Sequence, residues 1–131
     1  MTKIAIRGYH LDGYQHVNNA RYLEFLEEAR WQYFDHISKE TYSEMDFSFV
    51  IVNININYRL STTAGDVIKI KTEIEKIGNT SMTFIQKIHL DNTDKLICDA
   101  TITFVILNQK TGKPLKINSE LKSLFLKDNI K

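Results

Sequence analysis

The 131-residue chain has one cysteine, Cys98, so no intrachain disulfide can form and nothing calls for an oxidising compartment. A single proline and five glycines leave no composition for a long disordered linker. Neither sign of charge is in surplus. Seventeen basic residues meet 16 acidic ones, net +1, which gives no support to nucleic-acid binding, a function that needs a concentrated basic face. No apolar run is long enough for a membrane span, and none is expected. The first residues, MTKIAIRGYH, lack the apolar run of a signal peptide, so a cytoplasmic location is the expectation. The four histidines and the cysteine show no metal-ligand spacing, and no metal is predicted. A Gly-rich phosphate loop and a G-x-S-x-G elbow are both missing, which removes the nucleotide-binding and α/β-hydrolase classes.

What is present is an apolar fraction of 43%, enough for one compact domain over residues 1–131. Lys3 to Tyr9 reads as a strand, with Ile4 and Ile6 alternating with polar neighbours. His10 to Val17 reads as a loop. A helix follows to about Phe34 or Ile37, with Tyr22, Leu26, Ala29 and Tyr33 at helical spacing, and Asn18 or Asn19 as its cap. Ser38 to Asp46 is polar and predicts a short helical turn. Phe47 to Leu60 alternates strictly: Val50, Val52, Ile54, Ile56 and Tyr58 on one face, Asn53, Asn55, Asn57 and Arg59 on the other. A hydrogen-bonded or partner-facing polar side and a solvated one fit that asparagine row equally. Val67–Ile77 and Met82 to Leu90, joined by Gly78-Asn79, predict a hairpin, and Leu96 to Leu107 predicts the last strand. There Cys98 alternates with Ala100 and Ile102, as a buried structural thiol. Ser119 to Lys127 predicts a short helix with Leu121, Leu124 and Phe125 inward. One strand, one long helix and four strands make a two-layer α+β domain.

The chemistry concentrates in RGYHLDGYQHVNNARYLEFLEEARW, residues 7–31. Asp12 lies in the loop and Asn19 at the helix start, where backbone N–H groups lack intrahelical partners and favour negative charge. An acid beside such an oxyanion site suits attack on a thioester or ester carbonyl. The plain alternative is a loop aspartate making an Asx-turn.

D-x-x-x-H-V-N-N-x-x-Y-L-x-F-L-E-E-A-R, starting at Asp12, resembles the signature of hotdog-fold acyl-CoA thioesterases of the hydroxybenzoyl-CoA thioesterase-like family, and VNININYR adds to the likeness to the bacterial long-chain acyl-CoA enzymes. The resemblance implies a hotdog fold, an antiparallel five-stranded sheet wrapped around the long helix. It implies homodimers or homotetramers with acyl-CoA sites at subunit interfaces, and no cofactor, since CoA is part of the substrate. It makes Asp12 the catalytic acid, as nucleophile or as general base to water. Some relatives carry a catalytic His at the position of Asn19, so here the backbone N–H of Asn19 is the expected carbonyl-polarising group. Many relatives have Gly where this chain has Gln15, a change that bears on the turn.

Four further residues are candidates. Tyr14 could line the entrance, and His16 could assist or simply bond to backbone. Glu28, in the Glu-Glu-Ala-Arg part of the motif, is either a buried acid positioning water or an ordinary helix-surface charge. Arg59 could meet CoA phosphate, a partner subunit or only solvent. The expected function is hydrolysis of fatty acyl-CoA. A non-catalytic acyl-CoA-binding hotdog module and a thioesterase for acyl carrier protein are the alternatives, and a dehydratase pairs a His with an acid in another motif.

Overall fold

The computed structural model describes residues 1–44 and 46–126, so Lys127 of the expected last helix lies outside the described residues. The order is β1 (Thr2–Ala5), α1 (Asn19–Tyr33), α2 (Lys39–Glu44), β2 (Phe47–Tyr58), β3 (Val67–Ile77), β4 (Ser81–Leu90), β5 (Leu96–Asn108) and α3 (Ser119–Phe125). All pairings are antiparallel, in one five-stranded sheet ordered β1-β3-β4-β5-β2. The Gly78-Asn79 hairpin between β3 and β4 forms, closed by Gly78 N–H donating to the Ser81 carbonyl at 2.8 Å.

The first strand is shorter than its alternation predicts. After Ala5 only Ile6 stays bonded, donating to the Asp66 carbonyl at 2.8 Å, and Gly8–His10 then turns as 3-10 helix. The cause is local: His10 Nδ1 accepts the Arg7 N–H at 2.9 Å, which bends the chain out of the sheet. Helix α1 ends at Tyr33 and continues as a 3-10 turn, Phe34–His36.

The helix lays Tyr22, Phe25, Leu26 and Ala29 on Ile68, Ile70, Ile88, Cys98 and Ile102 of the sheet. A second apolar cluster joins Phe34, Phe84, Phe104 and Ile106 to Phe125 of α3. The backbone of α1 comes nearest to β3 and β1.

β2 corrects the simple alternation. Its register against β5 shifts between Ile51 and Asn53, leaving Val52 as an extra residue. Such a bulge reverses the facing of everything before it. Phe49 and Ile51 pair with Ile106 and Phe104 and share the helix-side face with Ile54, Ile56 and Tyr58, while Val50 turns to the face of Asn53, Asn55 and Asn57. Of that row Asn57 donates to Asp99 at 3.0 Å.

One polar group is built into the core. Gln86 is fully buried, donates to the Leu26 carbonyl and Thr72 hydroxyl, both at 3.0 Å, and accepts from Arg30 at 3.0 Å. Desolvation lowers the Arg30 pKa, and the charge of Glu27 opposes that shift. Gln86→Leu keeps volume but strips those partners. The expected loss is about 2 kcal/mol, the usual penalty for buried polar groups left unpaired, read as a lower urea midpoint at unchanged m-value.

Candidate active site

The loop before α1 is held from both sides. His10 is buried between Tyr9 and Phe25, with ring centroids 4.3 and 5.0 Å away, and its carbonyl accepts the Asn18 N–H at 3.0 Å. Burial and the nearby Arg21 lower the pKa of His10, which keeps Nδ1 available as an acceptor. The Asp12 N–H donates to the His16 carbonyl at 2.9 Å, and Val17 to the Thr62 carbonyl at 2.9 Å. Gln15 adopts φ 64, the left-handed conformation for which glycine is suited. The turn therefore survives the departure from Gly, and the Gln15 carbonyl accepts the Thr63 hydroxyl at 2.9 Å.

Asp12 does make the Asx-turn: Oδ1 accepts the Tyr14 N–H at 2.9 Å. That bond fixes the carboxylate without using it up, because Oδ2 has no partner among the described residues. The capping residue is Asn18, in extended conformation with φ −60 and ψ 134, its side chain accepting the Ala20 N–H at 2.9 Å. Asn19 is thus the first helical residue, and its side chain does not cap. Its backbone N–H has no acceptor among the described residues, while its carbonyl accepts the Tyr58 hydroxyl at 3.3 Å.

Asp12, Tyr14, His16, Asn19 and Arg59 line one open cleft of about 300 Å³. Tyr14 is largely exposed at its mouth. His16 is exposed and lines the cleft, and its carbonyl accepts the Asp12 N–H. Arg59 pairs with Asp99, which raises the Arg59 pKa and holds the Asp99 carboxyl low. Glu28 is elsewhere: it is exposed on α1, accepts from Gln32 at 3.0 Å, and does not line the cleft. Cys98 faces the core, where burial pushes its thiol up to about 12.

Two tyrosines of the cleft, Tyr58 and Tyr22, were not singled out as site residues in the sequence. Tyr58 read only as the last apolar residue of its strand, and Tyr22 only as helix core. Both rings meet at 5.8 Å, and the Tyr22 hydroxyl shares a 2.7 Å hydrogen bond with Thr62, tying the helix start to the loop after β2. Among the described residues no group of three or more His, Cys, Asp or Glu is placed to hold a metal ion. No described helix is long and apolar enough to cross a membrane.

An antiparallel five-stranded sheet curled on one long helix, with an acid facing the helix start, defines a hotdog domain of the thioesterase kind. The chain belongs to the thioesterase-like superfamily, whose family model matches residues 7–125. It is 45% identical, over 92% of both chains, to the long-chain acyl-CoA thioesterase FadM of Escherichia coli K12. The crystal structure of YbaW, a probable thioesterase of Escherichia coli, superposes with a TM-score of 0.87 at 44% identity, covering 94% of this chain and 93% of that one. The Staphylococcus aureus protein SAV2348, solved in complex with CoA, shares the fold at a TM-score of 0.82 and 13% identity, over 94% of this chain and 78% of that one.

Proposed function

We propose that the chain hydrolyses long-chain fatty acyl-CoA to free fatty acid and CoA in the cytoplasm, without a cofactor. The observation that carries this reading is the Asp12 carboxylate, anchored through one oxygen and open at the other, in one cleft with the unpaired Asn19 N–H. A thioester carbonyl directed at that N–H gains a donor for the negative charge that develops on its oxygen. Asp12 then supplies either the nucleophile or the base that takes a proton from water, and both routes need its charge. The C–S bond breaks, the acyl carbon gains the oxygen of water, and CoA leaves as the thiol. Arg59 keeps N–H groups at the rim where a CoA phosphate would pass. CoA is favoured over acyl carrier protein by the 45% identical relative, which is named for acyl-CoA. A panel of acyl-CoA and acyl-carrier-protein thioesters of graded length tests the reading, with long acyl-CoA expected to give the highest kcat/KM. Preference for the carrier-protein esters would overturn the substrate assignment.

The working unit proposed is a homodimer or a pair of dimers. β2 is an edge strand of 12 residues, and nearly half of the large exposed apolar side chains among the described residues are on it, from Phe49 to Tyr58. A long apolar edge pairs with another strand or aggregates. Light scattering at assay concentration is expected to give dimers or tetramers. Full activity from monomers alone would contradict this assembly.

A further inference from the structure

Tyr58 enters the candidate active cleft from a strand, and neither hydrolytic route uses it. It is the last residue of β2 and pairs with the buried Cys98, so its ring stands on the helix side of the sheet. There it packs on Tyr22 at 5.8 Å and lines the same cleft as Asp12 and Asn19. Its hydroxyl donates to the Asn19 carbonyl at 3.3 Å. That bond is long for O–H···O, where about 2.7–2.8 Å is usual. The acceptor is also shared, since the carbonyl of a first helical residue takes the N–H of the next turn. Tyr58 therefore rests its proton on a weak acceptor, at the very residue whose N–H is open to a thioester. The cleft's other side-chain donors are placed differently. Tyr14 is 84% exposed at the mouth, the Tyr22 hydroxyl is shared with Thr62 at 2.7 Å, and Arg59 is turned to Asp99.

A carbonyl oxygen carries two lone pairs, and the Asn19 N–H can fill one of them. As charge grows on that oxygen, the other needs a donor already in place, because water would first have to reorganise. We propose that the Tyr58 hydroxyl leaves the Asn19 carbonyl for the thioester oxygen and serves as its second hydrogen-bond donor. The proposal rests on reading the Asp12 cleft as the thioester site. The exchange is favourable, because a bond to an ionised acceptor is about twice as strong as one to a neutral carbonyl. No proton is transferred. Burial, with the Cys98 thiol adding to it, raises the Tyr58 pKa above the ordinary phenol value. A leaving CoA thiolate has an ordinary thiol pKa of about 8.5, below that of a phenol. Tyr58 thus stays neutral through the reaction, as a donor and not as the acid that protonates the leaving group.

Tyr58→Phe removes the hydroxyl and keeps the ring. It is expected to lower kcat for palmitoyl-CoA by about 10²-fold, the lower end of what one oxyanion donor contributes, with KM changed by less than about threefold. The melting temperature is expected to hold, because the bond lost is long and its acceptor keeps its helical partner. A second measurement needs no turnover. Palmitoyl-CoA carrying ¹³C at the thioester carbon is bound to the Asp12→Asn protein and to the Asp12→Asn, Tyr58→Phe double variant. The carbonyl stretch of the bound thioester is expected at lower infrared frequency in the first, since each donor weakens the C=O bond. A bound carbonyl frequency that does not depend on Tyr58, or a Tyr58→Phe kcat within about twofold of the parent's, would overturn the assignment. A loss of kcat that comes with an equal loss of binding or of melting temperature would overturn it too, making Tyr58 a strut between strand and helix. A Tyr58-dependent carbonyl shift in a protein that hydrolyses nothing would keep the donor and remove the hydrolytic reading instead.

Discussion

Asp12→Asn is expected to lower kcat for a long-chain acyl-CoA by on the order of 10²-fold or more, the contribution typical of a positioned acid or base. The substitution is clean for a structural reason. The Asn side-chain oxygen can still accept the Tyr14 N–H that the Asp12 carboxylate accepts at 2.9 Å, so the Asx-turn persists. What disappears is the charge and basicity of the second oxygen, the one without a partner among the described residues. Folding, measured by melting temperature, and acyl-CoA binding should both survive. Near-normal turnover by the variant would remove Asp12 from both of its proposed roles at once.

The second large effect separates two ways in which Asn19 could act. If its backbone N–H is the oxyanion donor, the side chain can change freely provided no negative charge is added. The helix is capped by Asn18, so neither Asn19→Ser nor Asn19→Asp removes a cap. Asp in the first turn complements the helix dipole by about 0.3–1 kcal/mol, so that variant should melt no lower than the parent. The same carboxylate repels the charge growing on the thioester oxygen and stands in one cleft with Asp12. Asn19→Asp is therefore expected to lose kcat by at least about tenfold, toward the roughly 10²–10³-fold cost of losing an oxyanion donor outright, whereas Ser retains most of it. Equal and severe loss of kcat in both variants, at unchanged melting, would assign the donor to the Asn19 side chain.

The elements that carry the site were legible because each rests on a local rule. Helical spacing from Tyr22 to Ala29 and apolar alternation in β3, β4 and β5 follow from burying one face, and the described elements match them apart from register shifts at Ile74/Lys76 in β3 and Ile88/His89 in β4. Three features were not legible. Asn18 and Asn19 are chemically identical as caps, and only the extended backbone at Asn18 decides between them. The run from Phe49 to Tyr58 alternates so well that one inserted residue at Val52 leaves no trace in hydropathy, yet it reverses the facing of Phe49 and Ile51. The bend after Ile6 depends on His10 reaching back to the Arg7 N–H, a contact that no periodicity reports. Within the site, Asp12, Tyr14, His16 and Asn19 come together because they lie close in sequence. Arg59 and Tyr58 join them only through sheet order, which places β2 beside β5 at the edge.

The most direct measurement is release of free CoA thiol from palmitoyl-CoA by the unmodified protein, followed continuously with a thiol reagent. Hydrolysis at the Asp12 cleft predicts many turnovers per protein, with a kcat/KM on the order of 10⁴ M⁻¹s⁻¹ or higher, the ordinary range for an enzyme on its own substrate. Saturable binding of palmitoyl-CoA with no thiol released beyond the uncatalysed rate would contradict it and leave an acyl-CoA-binding module.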